Sequence, residues 1–174
     1  MISKKVEKAI NEQIKKEEYS SRLYLAMASW CEANGFQGAA AFLYKHSDEE
    51  RMHQLKFVHY LNDRNGYSVL EPIEQPPYKF KNLVEIFKDI KKHEEFITAS
   101  INELYFIATT EKDFTSANFL QWFITEQMEE EKLFNGILDQ IELAGSDKSG
   151  LFLIDKELGG MAAAPAGGGP SAGA

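Results

Sequence analysis

Glu50 and His53 have the residue types and the spacing that metal chemistry needs. They lie three positions apart, and residues at this spacing project from the same face of an α-helix. Glu-x-x-His segments that point into a helix bundle supply carboxylate and imidazole ligands to two-metal sites. The same spacing also occurs by chance on solvated helices. What the pair means therefore depends on what the rest of the chain places beside it.

Four long segments must position this pair, and each carries an apolar stripe with steps of three and four residues. That period is typical of helices in a bundle. Each stripe is interrupted near its middle by one glutamate. These residues are Glu17, Glu50, Glu94 and Glu130, with Gln127 beside the last of them. In a bundle the four carboxylates would lie at a similar depth, so they would converge on one another.

The segments predict helices over about residues 3–34, 38–65, 82–111 and 115–144. Three prolines exclude a helix from residues 66–81. Sixteen extended residues reach roughly 50 Å, which exceeds the roughly 42 Å of the second helix. The loop can therefore run the length of the bundle. The sequence predicts an all-α fold, a four-helix bundle with one long crossover between the second and third helices.

A short fifth helix is expected over residues 151–158, which are apolar but too few to have their own core. The remaining residues 159–174 are mainly Ala, Gly and Pro and predict a disordered tail. The folded domain is therefore expected to cover residues 1–158.

Four buried carboxylates without counter-charge would be costly, by several kcal/mol or more. No lysine or arginine falls on the four stripes, so the expected counter-charge is a bound cation. Carboxylate ligands with one imidazole suit iron, manganese or zinc. Glu50 and Glu130 could bridge two such ions. Tyr24 follows Glu17 on the same stripe and could donate a hydrogen bond to a ligand or lend an electron.

Composition excludes several other classes of function. The net charge of −8 argues against a nucleic-acid-binding surface. The only cysteine is Cys31, which fits a reducing, cytoplasmic setting. The opening residues predict no signal peptide. No apolar run is long enough to predict a membrane span.

On these residues the chain resembles the bacterial non-haem ferritins, from Glu7 to Leu158. The matching segments are Asn-Glu-Gln at 11–13, Gly-Ala-Ala-Ala-Phe-Leu at 38–43, Asn-Phe-Leu-Gln-Trp at 118–122 and Ile-Asp-Lys-Glu-Leu at 154–158. The resemblance implies a first iron site of Glu17, Glu50 and His53. It implies a second site of Glu50, Glu94 and Glu130, with Gln127 close by. A third, looser site would use Glu49, Glu126 and Glu129 with Glu130, and Tyr24 would lie beside the centre.

The chain departs from the haem-binding bacterioferritins at two points. Their fourth helix has a second Glu-x-x-His, where this chain has Gln127 and Glu130. Their haem-ligating methionine follows the bridging glutamate, where this chain has Arg51 and then Met52. No haem is therefore expected.

The resemblance implies a ferroxidase that oxidises Fe(II) with O2 or H2O2. It also implies that twenty-four copies form a hollow shell, which stores the product as ferric oxyhydroxide. A di-iron peroxidase similar to the rubrerythrins is an alternative, although the chain has no Cys-x-x-Cys iron site. A non-catalytic bundle that binds divalent cations is another. The sequence leaves open the preferred oxidant, the routes of iron entry and release, a reductase partner, the role of the tail and regulation.

Overall fold

The protein was analysed as a computed structural model that describes residues 2–164. Five helices and no strands form this part of the chain. They are α1 (Lys4–Ala33), α2 (Gln37–Asp63), α3 (Leu83–Thr110), α4 (Phe114–Ala144) and α5 (Lys148–Ala163). The predicted all-α class is confirmed, with four long helices followed by a short one.

A polar side chain caps the N-terminus of four of the five helices. Ser3, Asn82, Asp113 and Asp147 each accept a hydrogen bond from a backbone N–H in the first turn that follows, which satisfies donors that have no partner within the helix. The residue before α2 is Phe36, which cannot do this. The first N–H groups of α2, which have no acceptor within the helix, donate instead to Asp155 of α5. The distances are 2.8 Å from the Ala39 nitrogen and 3.1 Å from the Gly38 nitrogen.

The loop between α2 and α3 follows α1 from one end of the bundle to the other. Near its start, the Tyr67 N–H donates to Glu7 and the Tyr67 carbonyl accepts from Asn11. Near its end, the ring of Phe80 meets the edge of Trp30, close to the last turn of α1. The loop therefore spans the bundle, and α2 and α3 run parallel, as the loop length predicts.

Two separate clusters of buried apolar residues form the core. One surrounds Met27, Leu43 and Phe134 toward the end of the bundle where α5 packs. The other surrounds Ile10, Phe57 and Phe123 toward the opposite end. The polar residues of the four stripes lie between the two clusters. The bundle therefore places its buried carboxylates at the middle of its length.

Helix α5 is longer than the sequence predicts. It runs to Ala163, five residues beyond the expected end at Leu158, so the prediction that the tail begins at Gly159 is wrong for residues 159–163. A side chain at Gly38 would place its Cβ 1.7 Å from the backbone oxygen of Asp155, and a Cβ at Gly159 would come within 3.2 Å of the Gly38 Cα. These glycines therefore allow α2 and α5 to pack closely against each other. The predicted disorder of residues 165–174 lies outside the described residues.

Candidate metal centre

The four stripe carboxylates are buried, and within residues 2–164 none of them pairs with a lysine or arginine. Glu17 and Glu94 are each 1% exposed and Glu50 is 5% exposed, while the side chain of Glu130 is 13% exposed. Among the ion pairs of residues 2–164, no lysine or arginine pairs with any of these four. One oxygen of Glu50 and one of Glu130 have no hydrogen-bond partner in the described part of the chain. This is the donor set expected where a cation supplies the missing charge.

Glu17, Glu50 and His53 form the first group of converging ligand atoms. One ligand atom from each lies within 4.8 Å of the others. The Nδ1 atom of His53 is 3.4 Å from Oε2 of Glu50, and that oxygen is otherwise unpartnered. Helix α1 contributes Glu17, and α2 contributes the other two from one face. The structure therefore brings together the residues predicted for a first iron site.

Glu94 faces this group from α3. Its Oε1 accepts a hydrogen bond of 2.5 Å from the Tyr24 hydroxyl, and its Oε2 accepts one of 3.0 Å from Gln127. The charges of Glu94 and Glu130 both act to raise the pKa of Glu50, so the three carboxylates of the predicted second site face a common space. Their ligand atoms are not gathered as tightly as those of the first group in the described chain.

A second converging group consists of His46, Glu49 and Glu130. The Nε2 atom of His46 lies 3.8 Å from Glu49 and 3.7 Å from Glu130. Its Nδ1 is 3.0 Å from the Phe42 carbonyl. Because a carbonyl can only accept, Nδ1 carries the proton and Nε2 presents its lone pair to the two carboxylates.

His46 was not among the expected ligands, although it lies on the same stripe of α2 as Glu50 and His53. Its spacing to Glu49 repeats the three-residue spacing of Glu50 and His53. That second Glu/His pair was the signal that could have found it.

Glu126 and Glu129, the other residues predicted for a third site, lie on α4 and belong to neither group. Glu126 is half-buried and Glu129 is exposed. Their charges contribute to raising the pKa of Glu130, so both are close to it.

Burial dominates the electrostatics of the centre. It raises the pKa of Glu130 to about 9, and the charges of Glu94 and Glu49 add to this effect. Burial likewise raises the pKa values of Glu17 and Glu50 well above their ordinary range. It lowers the pKa of His46 to about 4, so this imidazole is neutral near pH 7 and can act as a ligand. A divalent cation would reverse the preference of these carboxyls for their protonated form.

Two further side chains, His93 and Met52, lie outside the centre. His93 lies off the apolar stripe of α3, where an exposed position would be expected. It is half-buried, and its Nε2 lies 2.7 Å from the Ser20 hydroxyl. Met52 is 61% exposed and points away from the buried centre.

Similarity to known proteins agrees with this geometry. A family profile described as "Ferritin-like domain" matches residues 7–144, which include every predicted ligand. The chain belongs to the ferritin family. The family and the fold predicted from the sequence are confirmed, and the iron-storage and ferroxidase functions agree with this membership.

Individual ferritins match over nearly the whole chain. The bacterial non-haem ferritin of Campylobacter jejuni is 46% identical over 162 residues, which is 93% of this chain and 97% of that protein. The bacterial non-haem ferritin of Escherichia coli O157:H7 is 44% identical, over 91% of this chain and 96% of that one. The solved structure of an open-pore ferritin from Archaeoglobus fulgidus superposes with a TM-score of 0.90 at 38% identity, over 91% of this chain and 98% of the other.

None of the helices within residues 2–164 is long and apolar enough to cross a membrane.

Proposed function

We propose that this ferritin is a ferroxidase that stores iron. Fe(II) ions bind in the gap between the two apolar clusters and lose electrons to O2 or H2O2. The ferric product accumulates as an oxyhydroxide mineral inside a hollow shell of subunits. The observation that carries this proposal is the burial of Glu17, Glu50, Glu94 and Glu130 without any lysine or arginine partner.

The side chains have distinct tasks in this reaction. Glu17 and His53 bind the first ion, Glu94 and Glu130 bind the second, and Glu50 bridges the two. Because each ion gains positive charge on oxidation, these fixed carboxylates stabilise the product more than the reactant. Tyr24 and Gln127 hold Glu94 in place through hydrogen bonds to its two oxygens.

A third ion is proposed beside these two, held by Glu49, Glu126 and Glu129 with Glu130. The position of His46 supports adding its Nε2 to that set, since it faces both Glu49 and Glu130. Anomalous scattering at the iron edge, from a crystal soaked in Fe(II), would locate all three ions.

Substitution of Glu50 and of His53 tests the catalytic role. Glu50→Ala and His53→Ala each remove one ligand, and we expect either change to slow Fe(II) oxidation by at least about 10- to 100-fold. The rate is followed as ferric absorbance after Fe(II) is mixed with air-saturated protein. Asp48→Ala and His59→Ala are matched controls, since both residues are exposed on the same helix. If the ligand variants oxidise iron as fast as the controls, the proposed centre is wrong.

We also propose that twenty-four copies form the shell and that α5 lines one of its channels. The single chain supports assembly, because several large apolar side chains are left exposed on α4 and α5. Leu143, Phe152 and Leu153 are 88%, 68% and 64% exposed. The cytoplasm, where Fe(II) persists, is the proposed location.

A further inference from the structure

A row of hydrogen bonds connects the surface of the bundle to the first metal site. The ammonium group of Lys16 donates to the Ser100 hydroxyl over 2.5 Å. The Ser100 hydroxyl donates to Oε1 of Gln13 over 2.6 Å. The amide Nε2 of Gln13 then donates to Oε1 of Glu17 over 2.7 Å. Lys16 and Ser100 are half-buried, whereas Gln13 and Glu17 are each 1% exposed.

The direction of this row is fixed by the lysine. An ammonium group can only donate, so the Ser100 oxygen accepts from Lys16 and its proton must point elsewhere. The nearest acceptor is the carbonyl oxygen of the Gln13 side chain. That contact turns the amide group of Gln13 toward Glu17. Without Lys16 and Ser100, the Gln13 amide oxygen would lose its donor, and the amide group would be held against Glu17 by a single hydrogen bond.

Lys16 has no competing ion pair in the described chain, because no carboxylate lies within 4.0 Å of its nitrogen. Its neighbour Lys15 instead pairs with Glu71 of the crossover loop at 3.1 Å. Both lysines line the same outer groove between α1, α3 and the loop. The two lysines therefore share a location, but only Lys16 is linked by hydrogen bonds to the metal centre.

We propose that Lys16, Ser100 and Gln13 are positioning residues for the first metal site. They aim one N–H donor at Oε1 of Glu17 before any ion arrives, which holds the carboxylate in one rotamer and leaves Oε2 for the metal. Hydrogen bonds from outside a ligand shell orient the ligand in this way, and their loss typically weakens metal binding by about 10- to 100-fold. This inference rests on Glu17 being a ligand of the first site.

Cobalt(II) tests the proposal without using the oxidation reaction. The assembled full-length protein is titrated with Co(II) and the visible absorption of the bound ion is recorded. Any Co(II) absorption that the parent protein shows and the His53→Ala variant lacks is assigned to the first site. We expect Ser100→Ala and Lys16→Met to raise the Kd of that signal by about 10-fold or more and to alter its spectrum. Ser100→Thr keeps the hydroxyl and should restore both to the parent values.

Lys15→Met is the matched control, because it removes one positive charge from the same groove without touching the row. Its Kd should stay within about twofold of the parent value, as is usual for an exposed ion pair. If Lys16→Met changes the Kd no more than Lys15→Met, or if Ser100→Ala binds like the parent, the proposal is wrong. If the Co(II) spectra of the parent and of His53→Ala are the same, the assignment of the first site is wrong instead. Elution volume and circular dichroism confirm that each variant is folded and assembled.

Discussion

At the scale of single residues, the centre contains several carboxyl groups that are largely buried. Below about pH 4.5 Glu130 is protonated in both the folded and the unfolded chain. Between pH 4.5 and about 9 the unfolded chain releases this proton while the folded chain retains it. The unfolded state therefore binds fewer protons, so the free energy of unfolding decreases as pH rises through this window. Glu17 and Glu50 act in the same direction.

The first prediction at this scale follows from that sign. In metal-free buffer the free energy of unfolding should decrease as pH rises from 5 toward 9, by up to about 1.4 kcal/mol per pH unit for each such carboxyl, and the thermal midpoint should fall with it. Glu130→Gln should reduce the slope, because an amide cannot ionise. Glu95→Gln, an exposed residue, should leave the slope unchanged. Saturating Zn(II) should abolish the decline, and a flat midpoint in the metal-free parent would contradict the prediction.

Residues on the helical stripes could be predicted from the sequence because periodicity determines which side chains face the core. Glu17, Glu50, Glu94 and His53 are all buried as that period requires. His46 and His93 could not be assigned in the same way, because their surroundings come from other helices. Glu130 of α4 and Ser20 of α1 come to these histidines from other helices. Only the Glu49 partner of His46 follows from spacing within its own helix.

At the scale of the helices, α5 completes the beginning of α2. Asp155 supplies the acceptor that Phe36 lacks, and a carboxylate at this end of a helix also interacts favourably with the helix dipole. Glycines at the contact let the two backbones approach closely. The position of α5 is therefore set by one carboxylate and one pair of small residues, together with the burial of Ile154 and Leu158 in the core.

Removing that carboxylate should loosen α5. Asp155→Ala leaves two N–H donors of α2 without their acceptor, and the expected loss is about 1–2 kcal/mol. The measurement is the urea midpoint of the metal-loaded protein, together with the rate at which protease cleaves α5. Glu157→Ala, an exposed change in the same helix, should alter neither. Equal behaviour of the two variants would show that Asp155 does not hold α5.

The architecture of the long helices could be derived from the sequence, and the end of α5 could not. Loop length determined that α2 and α3 run parallel, since sixteen residues are enough to cross the bundle. Gly159 has the residue type that usually ends a helix. Here it lies within α5 because its missing side chain makes room for Gly38, and that neighbour is over a hundred residues away.

At the scale of the whole molecule, the isolated chain leaves several large apolar side chains exposed. Phe106 and Phe114, at 62% and 70% exposure, join those already described on α4 and α5. Apolar surface left open in this way typically marks contacts with other subunits. The bundle is therefore expected to be one unit of a larger symmetric assembly.

Light scattering tests the size of that assembly. Twenty-four chains of 19.7 kDa would give a particle of about 470 kDa with closed symmetry. Removing residues 165–174 should leave the number of subunits unchanged and lower the mass only by that of the deleted residues, because every described contact of α5 is retained. Phe152→Glu places a charge on an exposed apolar position and should shift the protein to small oligomers. A parent protein that already behaves as a dimer would refute the shell.

The carboxylate layer separates the two halves of the core, so in a metal-free subunit buried polar groups, which are costly to bury, occupy the middle of the bundle. An ion that binds only the folded chain stabilises it by RT ln(1 + [L]/Kd), about 2.7 kcal/mol at a hundred times the Kd. Resistance to proteases then follows the supply of the metal. Subunits made during iron starvation would be the first to be degraded, and loaded ones would persist.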